Sequence, residues 1–228
     1  MTDEQTPLQI VEAEIEKTCK IARRKRDEVT LIAVSKTHPP ERIVPLLEQG
    51  QRVFGENRVQ EAQDKWPALR EQYPDVELHL IGQLQSNKAD DAVALFDYIH
   101  AVDRPSLVKA LAKAMDKASR KVPCFIQVNI GAEEQKGGCA IADVPTLIEQ
   151  VRSADIPLAG LMCIPPFDTE PAPFFAMLDK LARDNGLDGE SDQEASGLSM
   201  GMSSDYATAI MLGATHVRVG TALFGARG

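Results

Sequence analysis

The side chain with the clearest chemical use stands just past an apolar run. Leu31-Ile32-Ala33-Val34 carries no polar group, as befits a parallel strand covered on both faces, and Lys36 follows it. A lysine placed there either ends the strand in water or is partly desolvated. In the second case it can lower the cost by shedding its proton, and a neutral amine is a nucleophile able to form a Schiff base. Side chains alternate along a strand, so Lys36 shares a face with Val34 and Ile32. The same alternation puts His216, Arg218 and Gly220 on one face of the last apolar run and Val217 and Val219 on the other. If the valines pack against outer helices, Arg218 points inward and needs an acidic partner or an anionic or acceptor-bearing ligand. His79, within Glu77 to Gly82, has the same parity, as do Gln127 and Asn129.

Positioning such groups takes strands whose ends converge. Residues 6–26 read as one amphipathic helix with Leu8, Val11, Ile15 and Cys19 on a stripe. Strand patterns then fall at 30–35, 52–55, 77–82, 97–102, 123–130, 157–163, 197–200 and 216–220. Helical patterns follow each of them, at 40–49, 57–72, 87–95, 105–119, 143–153, 171–185, 204–212 and 221–226. Eight βα units at this spacing predict a single (β/α)8 TIM barrel over residues 1–228, with an extra N-terminal helix. The rival is an open doubly wound sheet, but neither GxGxxG nor GxxxxGK[ST] occurs. Barrel sites form at the strand C-terminal ends, where these polar residues would meet. The loop 131–138 (GAEEQKGG) falls on that face and could cover a ligand, whereas 188–194 (DGESDQE) falls on the other.

The seventh and eighth loops of such barrels often bind phosphate. Here they read Ser199 to Asp205 and Arg218 to Ala222. Ser203 or Ser204 could cap the following helix and offer a hydroxyl, and Gly220 allows close approach. Each loop alone is an ordinary N-cap or tight turn. Together with an inward Arg218 and Lys36, phosphate binding is the better account.

Composition removes other classes. The formal charge is −9 and no stretch is basic enough to follow a nucleic-acid backbone. The acidic start lacks a signal-peptide core, and no apolar run would span a membrane. Cys19, Cys124, Cys139 and Cys163 are scattered, without CxxC or a His at metal-ligand spacing, so neither zinc nor a disulfide framework is indicated. A reducing, cytoplasmic setting is the expectation.

Several segments, in order, resemble the pyridoxal phosphate homeostasis proteins. They include Ala33-Val34-Ser35-Lys36-Thr37, Phe54-Gly55-Glu56-Asn57 with Val59-Gln60-Glu61, and His79-Leu80-Ile81-Gly82 with Leu84-Gln85-Ser86-Asn87-Lys88. Val128-Asn129-Ile130, Gly160-Leu161-Met162, Leu198 to Ser203 and Val217 to Gly225 continue the match. Leu78 departs from it, since relatives often carry Trp before the His. The resemblance implies a barrel like the N-terminal domain of alanine racemase, holding pyridoxal 5′-phosphate (PLP) at the strand C-terminal ends. It implies an internal aldimine at Lys36 and a phosphate held by Ser203, Gly220 and Thr221. Arg218 would lie near the pyridine nitrogen or the phosphate, Asn57 and Met200 would frame the ring, and His79 would stand at the pocket wall.

Three functions follow. The first is a PLP carrier that buffers and delivers the cofactor, with PLP-dependent apoenzymes as recipients and a monomer as the default state. The second is a PLP-dependent amino-acid racemase. Alanine racemase uses a second domain and a tyrosine base from a partner subunit; Tyr73, Tyr98 and Tyr206 are the only tyrosines here, and none is obviously placed opposite Lys36. The third is a cofactor-free Schiff-base aldolase, which would leave the phosphate cradle and Arg218 unexplained. The carrier is preferred.

Overall fold

A computed structural model describes residues 5–189 and 196–225. Eight parallel strands close into a barrel in sequence order. They are β1 (Thr30–Val34), β2 (Val53–Glu56), β3 (Glu77–Leu80), β4 (Tyr98–Val102), β5 (Cys124–Val128), β6 (Leu158–Cys163), β7 (Gly197–Met202) and β8 (His216–Val219). The closing pair sets Thr30 opposite His216 and Ile32 opposite Arg218. Around them stand α2 (Pro40–Glu48), α3 (Val59–Gln72), α4 (Ala89–Leu95), α5 (Pro105–Ala118), α6 (Val144–Ser153), α7 (Ala172–Asp184), α8 (Tyr206–Met211) and α9 (Thr221–Phe224), with α1 (Pro7–Ile21) preceding the barrel. The expected (β/α)8 barrel with an added helix is what the chain forms. No helix among the described residues is long and apolar enough to cross a membrane.

The first helix shows how local sequence sets its bounds. Thr6 and Gln9 form a reciprocal capping box with Pro7 in the first turn. Leu8, Val11, Ile15 and Cys19 are buried, as their spacing requires. The helix stops at Ile21 rather than running to 26, because Arg23 turns left-handed (φ 57°) and the Arg24 N–H donates back to the Cys19 carbonyl. Arg24 then ties this end to α8, donating to the carbonyls of Ile210 and Ala214.

Two layers separate by strand parity. Leu31, Ala33, Ile126, Leu161, Val217 and Val219 face the helices and belong to one contiguous core. The opposite faces fill the barrel with Ile32, His79, His100, Phe125, Ser199 and Arg218, each 4% exposed or less. An alternation read from sequence thus puts Val217 and Val219 outward and Arg218 inward. His100, within the fourth strand pattern, follows the same rule and belongs with them.

Candidate cofactor site

A cavity of about 420 Å³ opens at the C-terminal ends of the strands. Lys36, Asn57, Ser203, Arg218, Gly220 and Thr221 line it, together with Thr37, His38, Ile81, Ile164, Phe167 and Met202 among others. Six of the eight residues expected at the site are therefore brought together. The lining contains no Asp or Glu.

Met200 and His79 are the two exceptions. Register shifts between Ser199 and Met202, a bulge made possible by Gly201 at φ 92°. Met200, adjacent to the inward Ser199, faces outward into the helix-facing core and is fully buried, while beyond the bulge Met202 takes an inward place and lines the cavity. His79 sits deeper in the barrel. Its ring stacks on Tyr98 (4.6 Å) and bonds to Glu77 and His100, one layer below the cavity. Gln127 and Asn129 also serve another purpose, since they hold the loop after β5. Gln127 Nε2 donates to the Gly137 carbonyl (3.3 Å), and Asn129 brackets Glu133 by accepting from its N–H and donating to its carbonyl. The loop 131–138 is not part of the cavity lining. The segment 188–194 falls mostly outside the described residues.

The segment carrying Lys36 is clamped from below, a feature that reading by strand alternation missed. Thr37 sits at φ 63°, a conformation that costs a non-glycine residue roughly 1–3 kcal/mol. Its N–H donates to Glu61 Oε1 (2.5 Å). Lys65, buried on α3, donates to the carbonyls of Ser35 (2.9 Å) and His38 (3.1 Å) and to Glu61 (2.9 Å). It also pairs with the fully buried Glu56 at 2.8 Å. Glu56 Oε1 further accepts from the Ser35 hydroxyl (2.7 Å) and the Trp66 indole (3.0 Å), leaving Oε2 without a partner. Burial pushes the Glu56 carboxyl pKa upward, against the pull of Lys65. The i, i+4 spacing of Glu61 and Lys65 was the one sequence signal available for this clamp.

Neither Ser203 nor Ser204 caps α8, whose N-cap is Asp205. Asp205 instead accepts from the Met202 N–H (2.5 Å) and shapes the loop. The Ser203 hydroxyl accepts from the N–H groups of Gly220 (3.1 Å) and Ala222 (3.4 Å), drawing the seventh and eighth loops together. Arg218 donates from Nη1 to Ser199 Oγ (2.7 Å) and from Nη2 to the Cys163 carbonyl (2.9 Å). Both acceptors are neutral, and among the described residues no carboxylate forms a salt bridge with this guanidinium. Burial lowers its pKa from the ordinary value, yet an arginine stays charged. A strand-end amine, an arginine without a salt-bridged carboxylate, and hydroxyl and amide groups on the same cavity suit a phosphorylated carbonyl compound.

Comparison with known proteins agrees. The family described as "Alanine racemase, N-terminal domain" matches residues 10–228. The chain is 40% identical to the pyridoxal phosphate homeostasis protein of Aquifex aeolicus, over 93% of each chain. It belongs to the pyridoxal phosphate homeostasis protein family. The Escherichia coli member is 38% identical, over 90% of this chain and 88% of that one. Among solved structures, PipY of Synechococcus elongatus with PLP bound is 38% identical and superposes with a TM-score of 0.80, over 93% of this chain and all of that one. An alanine racemase of Clostridium difficile shares the fold (TM-score 0.72) at 14% identity, with this chain covering 57% of its length.

Proposed function

We propose that this chain binds PLP as an aldimine of Lys36 and takes part in intracellular PLP homeostasis by buffering and delivering the cofactor. The observation that carries this reading is the single cavity shared by Lys36, Arg218 and the Ser203–Gly220–Thr221 group. Its residues fit the cofactor chemically. Ser203, Gly220 and Thr221 would hold the phosphate, Asn57 and Met202 would flank the ring, and Arg218 would face the pyridine edge. The PLP-bound PipY structure supports the reading by likeness. When bound, PLP supplies an electrophilic aldehyde and an electron-withdrawing ring. No carboxylate lines the cavity to meet the pyridine nitrogen, and with Arg218 at that nitrogen the ring would be a weak electron sink.

The same arrangement argues for a carrier without strong catalysis of its own. None of the three tyrosines lines the cavity. Tyr98, half-buried at the start of β4, lies against His79, and Tyr73 lies beneath Arg52. The imidazole of His38, which does line the cavity, stacks on Phe224 at 4.5 Å. Apoenzymes lacking PLP are the proposed recipients. The four buried, unpaired cysteines are compatible with a reducing cytoplasm.

The test is the visible spectrum of the purified protein and of Lys36→Ala, before and after borohydride. A yellow band in the wild type that is fixed as a stable adduct on the Lys36 peptide, and is missing from the variant, is the expected result. A protein that stays colourless with added PLP and forms no adduct at Lys36 overturns the reading in favour of a cofactor-free aldolase. Racemisation of amino acids by the loaded protein at enzyme-like rates would overturn the carrier assignment alone.

A further inference from the structure

A continuous row of hydrogen bonds crosses the barrel interior beneath the cavity. It runs from Arg218 Nη1 to Ser199 Oγ (2.7 Å) and from Ser199 Oγ to His100 Nδ1 (2.9 Å). His100 Nε2 then meets His79 Nδ1 (2.8 Å), and His79 Nε2 meets Glu77 Oε1 (2.7 Å). Arg218 lines the cavity, while Glu77 opens β3 at the other mouth with its side chain 42% exposed.

The protons of this row can be placed from its two ends. A guanidinium only donates and a carboxylate only accepts. Ser199 therefore accepts from Arg218, and its own hydrogen goes to His100 Nδ1. His100 must then carry its proton on Nε2 and donate to His79 Nδ1. His79 in turn carries its proton on Nε2 and donates to Glu77. With this polarity each ring carries one proton, and every bond has one donor. The reverse polarity needs a second proton on His79 and leaves the Ser199 hydrogen without an acceptor in the row.

We infer that Ser199 and His100 are positioning residues for the cofactor site: through them Glu77, at the far mouth of the barrel, anchors and polarises the Arg218 guanidinium that faces the cavity. The ligand in this statement rests on the PLP reading above; the polarity of the row does not. The row does not deliver protons to the cavity, because the guanidinium at its upper end does not release one. Its effect is polarisation, since bonds in a buried chain strengthen one another at low dielectric. Surrounding groups leave that polarity undisturbed. His100 stacks on Phe125 (4.3 Å) and lies 5.9 Å from His216, whose desolvation keeps it neutral with a pKa near 3, and His79 lies against Tyr98. Arg70, the arginine whose charge acts on Glu77, is paired with Asp97.

Two measurements test this. Long-range proton–nitrogen NMR on histidine-labelled wild type reads the tautomers directly, and PLP titration of wild type and Ser199→Ala reads the consequence. The expected result is Nε2–H at both His79 and His100. For the variant, loss of a hydrogen bond to a charged group predicts about tenfold weaker PLP binding, with a shifted absorption maximum of the bound cofactor. An Nδ1–H tautomer at either ring, or a variant that binds and absorbs like wild type, overturns the inference. A wild type that binds no PLP overturns the site reading instead, and the tautomers still decide the polarity of the row. They also decide it if the variant does not fold.

Discussion

Lys65 is the residue on which the presentation of Lys36 depends most. Its ammonium neutralises Glu56 and holds the carbonyls on either side of the Lys36–Thr37 segment. Lys65→Met keeps the length of the side chain and removes the charge, leaving a buried carboxylate uncompensated. The expected loss is about 3 kcal/mol of unfolding free energy by urea titration, as for other broken buried pairs. A change below half that value would mean that Glu56 accepts a proton readily and needs no partner. Glu61→Ala separates loop order from global stability. Its half-buried position, still open to solvent, predicts a loss of about 1 kcal/mol, while release of the Thr37 N–H relaxes the left-handed turn and weakens PLP binding measurably. Unchanged affinity in that variant would remove Glu61 from the clamp.

At the scale of elements, the bulge in β7 decides which methionine meets the cavity. A Cβ on Gly201 would lie 2.6 Å from Ala209 Cβ and 3.0 Å from Tyr206 Cα, in a backbone at φ 92°. Gly201→Ala is expected to cost about 1–3 kcal/mol in strain and to displace Met202 and Ser203, weakening PLP binding along with stability. Retained affinity in a destabilised variant would show that the bulge serves the fold alone. This element also marks where reading the sequence stops. Strict alternation correctly placed Arg218 inward and Val217 and Val219 outward, because β8 is regular. Met200, expected at the ring from the family resemblance, lies outward next to the inward Ser199, and the extra residue in β7 reverses the parity beyond it so that Met202 reaches the cavity instead. The cap expected from Ser203 or Ser204 falls to Asp205 instead, and the Ser203 hydroxyl is engaged by a loop that is distant in sequence. The clamp under Lys36 was hidden because a buried lysine on a helix looks, in sequence, like any solvated one. The barrel itself was legible, since eight apolar runs, each followed by a helical pattern, follow from burial on both faces.

For the molecule as a whole, the histidines in the barrel interior set a pH dependence. Desolvation lowers the pKa of His100 well below the ordinary imidazole range and that of His216 to about 3. Unfolded histidines titrate near about 6.5, so below that pH the unfolded chain binds protons that the native barrel does not. Stability from these two groups is complete above about pH 6.5 and falls as pH drops from there toward each folded value. The slope is about 1.4 kcal/mol per pH unit for each ring. Urea midpoints measured between pH 7 and 5 should fall accordingly, and a flat profile would contradict the buried, neutral assignment. The four thiols follow the same physics with the opposite sign: burial raises all of them, Cys139 and Cys163 to about 12. Lys65 Nζ is held by Ser35, His38, Glu61 and Glu56, away from any ligand. A reactive aldehyde entering this barrel therefore meets competing nucleophiles that are already silenced. The consequence is regioselectivity: the scaffold handles a promiscuous electrophile by muting its own interior, so that one address remains for the parcel.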